Sequence, residues 1–153
     1  MARGGLPSYA VPVWKSIVTM FRLHGKANDA GFEIIRGQMI IQILQIVAAI
    51  ATILTGLYSL LKPAAITGFT GLQPVGGRGI TEIRSILGGV FIALGAVPLI
   101  LNSPVAYLML GITYLAIALV RAISMFMDKS VVQSNVISLV VEIVFGIILV
   151  VPR

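Results

Sequence analysis

Four ionisable side chains fall in or beside long apolar stretches where charge is costly: Glu82, Arg84, Arg121 and Glu142. A charge at the centre of a bilayer costs at least ~2.5 to 3.5 kcal/mol on insertion scales, so such residues face protein, take partners and default to a functional hypothesis. Two arginines and two glutamates make a neutral set, which lowers the cost of burying all four. Three kinds of chemistry are open to them. They can form ion pairs that fix helix register, or line a proton or ion path. Alternatively, Glu142 can exchange a proton while Arg121 holds an anionic head, although an adjacent guanidinium favours the carboxylate and works against that role. The chain has no cysteine and a single histidine, His24, which removes thiolate chemistry, disulfides and multi-His metal sites within one chain. His24 reads as a solvated side chain rather than a haem ligand. No catalytic set, metal site or cofactor is expected.

The elements that must position these charges follow from composition. The chain has 153 residues, 58% hydrophobic and only 10% charged, with a mean hydropathy of +1.06. That is too little polar surface to cover a water-soluble globule. Apolar runs of about 20 residues cross a ~30 Å hydrocarbon core as helices, and they are predicted over residues 38–61, 81–101, 105–127 and 131–151. The expected fold is all-α: an integral membrane four-helix bundle (residues 38–153) preceded by an N-terminal interfacial or docking segment (residues 1–37). The first span shows no cleavage site and is expected to remain as its own insertion signal. The net charge of +6 fits anionic lipid headgroups as partners. The basic residues are scattered between spans rather than gathered into a patch, so nucleic acid is not expected.

In residues 11–24, Trp14, Ile17, Val18 and Phe21 share one helical face, while Lys15, Arg22 and Lys26 lie off it. Trp14, Lys15, Phe21 and Arg22 are the predicted interfacial anchors, with a helix docked on a partner subunit as the alternative. Residues 26–37 read as a polar hinge. In the first span Gln38, Gln42, Gln45, Ala49, Thr52, Gly56 and Ser59 recur every three or four residues. This stripe is expected to be buried against other helices, because lipid offers amides no partners. Residues 62–80 form a loop ending in Gly76, Gly77, Arg78 and Gly79, where an anion-binding nest competes with a plain turn feeding a helix. The second span carries Ser85, Gly89 and Ala93 at four-residue spacing, a small-residue face for close helix packing. Asn102-Ser103-Pro104 makes the second and third spans antiparallel neighbours.

Arg3, Lys15, Arg22, Lys26, Arg36 and Arg153 fall on one side of a four-span topology and Lys62, Arg78 and Lys129 on the other, so both termini are expected to be cytoplasmic. Depth then pairs the charges. Arg121 lies about 6 residues from the end of its span, or ~9 Å, and Glu142 about 11 residues into the next, or ~16 Å, a gap an arginine side chain closes. The expected arrangement is an Arg121–Glu142 pair with Glu82 and Arg84 as a second layer.

The stretch from Gly76 to Gly89, GGRGITEIRSILGG, followed by Arg121 and Glu142, resembles the small four-helix bacterial membrane proteins of domain of unknown function 4345, over about residues 38–151. The resemblance implies the four-helix fold and a bacterial plasma membrane, and it points to Glu82, Arg84, Arg121 and Glu142. It implies no reaction. Where that family carries a tyrosine before the double glycine, this chain has Leu87. The expected function is a non-catalytic membrane protein, an accessory or structural subunit packed against other membrane subunits or further copies of itself. The alternatives are a small transporter or ion-conducting protein using the Arg/Glu set, and a lipid- or quinone-binding membrane enzyme.

Overall fold

The computed structural model describes the backbone of residues 13–152, and side chains for Val18, Thr19 and everything from residue 31 to 152 except Phe69. The chain divides after Met39 into two compact units. Helix α1 is Val13–Leu61. Helix α2 (Gly76–Leu101) is built from α-helical Gly76–Glu82, π-helical Ile83–Val90 and α-helical Phe91–Leu101. Helices α3 (Pro104–Met127) and α4 (Gln133–Val150) complete the set. Between α1 and α2 lie two short turns of helix, Pro63–Ile66 and Thr67–Thr70.

Among the described residues, four helical segments are long and apolar enough to cross a membrane: Gly31–Leu61, Gly76–Leu101, Pro104–Met127 and Gln133–Val150. The expected polar hinge at residues 26–37 is helical instead. That stretch contains no proline, and polarity alone does not break a helix. Glu33 and Arg36 form an exposed contact at 3.7 Å one turn apart. The side chains of Trp14, Lys15, Phe21 and Arg22 lie outside the described residues.

The helices end where the chain chemistry requires. Asn102 takes the left-handed conformation (φ 44°), Ser103 is extended and Pro104 occupies the first turn of α3. This is the sequence of a C-terminal cap followed by a proline-led helix start. Lys129 (φ 50°) reverses the chain between α3 and α4.

Burial is arranged for lipid. Ile43, Leu54, Ile112, Leu119, Val140 and Ile147 are exposed, whereas Gln45, Thr52, Ser59, Ser138 and Glu142 are buried. Apolar side chains outside and polar ones inside suit a hydrocarbon solvent that cannot satisfy polar groups. The core joins Ala48 and Ala49 of α1 with Tyr107, Leu110 and Tyr114 of α3 and Leu149 of α4.

Glycines set the helix spacing. A β-carbon on Gly56 would lie 2.8 Å from the Gly88 carbonyl oxygen and the Ile92 nitrogen, and one on Gly95 only 2.5 Å from the Ala49 oxygen. Helices α1 and α2 therefore run antiparallel with backbones in contact. The small-residue face expected to make this contact is displaced: Ser85, Gly89 and Ala93 are exposed, and Gly88 and Gly95 are buried instead. The buried residues of the π-helical turns, Ile83 and Gly88, are five apart, the spacing of i→i+5 bonding, and Gly95 follows Gly88 by two regular turns.

Candidate functional site

Glycines also bring α3 and α4 together. A β-carbon on Gly111 would meet Leu149 and Val150, and one on Gly146 would meet the Leu115 side chain. In this antiparallel register Arg121 arrives opposite Glu142. Its Nε donates to both carboxylate oxygens at 2.9 Å, and Nη2 donates to Oε1 at 2.6 Å. A forked guanidinium on a carboxylate is the strongest geometry available to such a pair. The Glu142 side chain is 10% exposed and that of Arg121 30%.

Asn135 completes the arrangement. Its Oδ1 accepts from Arg121 Nη1 at 3.2 Å, and its Nδ2 donates to the Ser130 carbonyl at 2.9 Å. The asparagine thereby ties the guanidinium to the α3–α4 connection. Sequence reading missed it, although Asn135 precedes Glu142 by seven residues, two helical turns, on the same face. Tyr114 stands in the same relation to Arg121. Thr52 donates to the Ala48 carbonyl at 2.8 Å, so the 2.7 Å contact with Tyr114 has the tyrosine hydroxyl as donor. This polar link joins α1 to α3, and the Tyr114 ring meets Phe145 of α4 edge-on, with ring centroids 5.5 Å apart.

Glu82 and Arg84 do not form the expected second layer. Both are exposed, and neither makes an ion pair among the described residues. Positions two apart on a helix do not face each other. Arg84 Nε instead donates to the Leu60 carbonyl at 3.2 Å, where a cation suits the unsatisfied carbonyls and negative dipole end of α1.

The first-span stripe is buried from Gln45 through Thr52, Gly56 and Ser59, while Gln38 and Gln42 are exposed. The reason lies in Gln45. Its Nε2 donates to the carbonyls of Val151 at 3.0 Å and Ile148 at 3.2 Å, with Leu149 at 3.5 Å, which satisfies carbonyls left open at the end of α4. Helix α4 stops at that level. Gln42, one turn nearer the N-terminus of α1, is exposed. Gln45 Oε1 is buried without a partner among the described residues.

The run Gly76, Gly77, Arg78 and Gly79 turns directly into α2. Gly76 has a φ of 62°, helix begins there, and Gly77 and Arg78 are exposed, the arrangement of a turn feeding a helix. Among the described residues no group of three or more His, Cys, Asp or Glu is placed to hold a metal ion.

The family model described as Domain of unknown function (DUF4345) matches residues 40–152, and the chain belongs to that family. The matched stretch contains Thr52, Tyr114, Arg121, Asn135 and Glu142. No curated protein and no solved structure matches the chain.

Proposed function

We propose that this is a non-catalytic integral membrane protein, an accessory or structural subunit that packs against other membrane helices. The observation that carries the reading is the closure of the Arg121–Glu142 ion pair. Both Glu142 oxygens are taken by Arg121, and Asn135 holds the other arm of the guanidinium. Proton exchange or ion passage at Glu142 would first have to break three charge-assisted contacts, so the pair serves the α3–α4 register. Support for a helical partner comes from Ser85, Gly89 and Ala93, which are exposed, with open space where a β-carbon on Gly89 would stand. Small residues on a lipid-facing surface permit close approach of another helix.

The test is purification from native membranes in mild detergent, comparing the native chain with Gly89→Leu. A stoichiometric partner or second copy that is lost from Gly89→Leu, while the variant stays folded, is the expected result. A monomer in both preparations would overturn the reading. For placement we infer a bacterial plasma membrane from the family resemblance, with both termini cytoplasmic from the Lys/Arg distribution. A reporter active only in the cytoplasm, fused at Arg153, is expected to be active, and a silent fusion would reverse the orientation.

A further inference from the structure

We propose that the groove over the Arg121–Glu142 pair binds one zwitterionic phospholipid, with its phosphate on Arg121, its ammonium toward Asp128 and an acyl chain along α3. The open groove has a volume of about 600 Å³ and lies along one face of α3, reaching the α3–α4 connection. Its lining changes along its length. Arg121, Ser124, Asp128 and Asn135 line the connection end, and Ala116, Ile117 and Thr113, whose hydroxyl donates to the Met109 carbonyl of its own helix, line the part nearer the middle of the helix. A polar pocket that runs into an apolar trough matches an amphiphile.

The charges specify the head. Glu142 does not line the groove, whereas Arg121 does, and the arginine is the more exposed of the two, 30% against 10%. The pair is neutral as a whole, but it presents its cationic partner to the opening. A guanidinium has five N–H donors. Nε and one hydrogen of Nη2 serve Glu142, and one of Nη1 serves Asn135. One hydrogen on each terminal nitrogen remains, and these can donate to the non-bridging oxygens of a phosphodiester. A quinone or sterol offers only a neutral oxygen in that place. Asn135 links the guanidinium to Ser130 within the connection, so the guanidinium is held toward the end of the helices, where lipid heads lie. Asp128 is exposed and also lines the groove, so it favours a head that carries an ammonium beyond the phosphate and disfavours one with no cation. This site is independent of any helical partner, because Ser85, Gly89 and Ala93 belong to α2.

Native mass spectrometry of the full-length, delipidated protein titrated with phosphatidylethanolamine, phosphatidylglycerol or glycerophosphoethanolamine tests the proposal. The expected result is one tightly held phosphatidylethanolamine per chain, at least tenfold tighter than phosphatidylglycerol, with glycerophosphoethanolamine failing to compete. Ala116→Phe fills the trough without touching the ion pair and is expected to weaken binding at least tenfold. Asp128→Asn is expected to erase the preference between the two lipids. Equal binding of both lipids by the native chain, competition by the chainless head at equal concentration, or phosphatidylethanolamine binding unchanged by Ala116→Phe would each overturn the proposal.

Discussion

Helices α1 and α2 and helices α3 and α4 make two antiparallel contacts, and both helix pairs include arginine and glutamate, yet they are held by different forces. Between α1 and α2 the backbones touch at Gly56, Gly88 and Gly95, while Glu82 and Arg84 stay at the exposed end. Between α3 and α4 glycine contacts at Gly111 and Gly146 lead up to an ion pair whose glutamate is buried and whose arginine is partly exposed. Residue type does not decide whether a membrane charge is buried and paired. Arg84 sits in the turns near the start of its helix, where a free carbonyl of α1 is available. Arg121 and Glu142 lie farther from the ends of their helices, where each is the other's only charged partner among the described residues.

The largest effect expected from this comparison follows loss of one member of the pair. Arg121→Leu or Glu142→Leu leaves an uncompensated charge in the membrane, which costs about 3 to 5 kcal/mol. Folded yield and resistance to unfolding in mixed micelles are expected to fall sharply for either variant, and unchanged stability would show that water or lipid solvates the remaining charge. A smaller effect is expected from the glycine contact. Gly95→Ala would place a β-carbon against the Ala49 backbone oxygen at 2.5 Å, which cannot move as a side chain can, and overpacking of this kind costs about 1 to 3 kcal/mol. Gly89→Ala meets open space and Glu82→Gln alters an exposed, unpaired group, so each is expected to change stability by no more than about 0.5 kcal/mol. If Gly89→Ala proved as harmful as Gly95→Ala, the π-helical register of α2 would have to be wrong.

The spans were legible because an apolar run long enough to cross hydrocarbon has few other fates. Counting residues from the helix ends also put Arg121 within reach of Glu142, and the two meet in the structure. What could not be read was local. The π-helical turns at Ile83–Val90 leave no mark in hydropathy, so the packing face of α2 was assigned to Ser85, Gly89 and Ala93 when Gly88 and Gly95 carry it. The polar residues 26–37 suggested a break because polarity and helix termination often coincide, but nothing there stops a helix. Gln38 and Gln42 shared a face with Gln45, and only the point at which α4 ends separates exposed amides from the buried one. Asn135 and Tyr114 could have been found, since each lies two turns from a charged residue on its own helix.

If Arg121 and Glu142 form one interacting unit that holds α3 against α4, a double-mutant cycle of Arg121→Leu, Glu142→Leu and the combined variant, followed by unfolding in mixed micelles, will reveal it. Strong non-additivity is expected, with the double variant recovering much of the stability that either single change loses, because an apolar pair is tolerated where a lone charge is not. Additive losses would show that the two side chains do not stabilise each other and would contradict the claim.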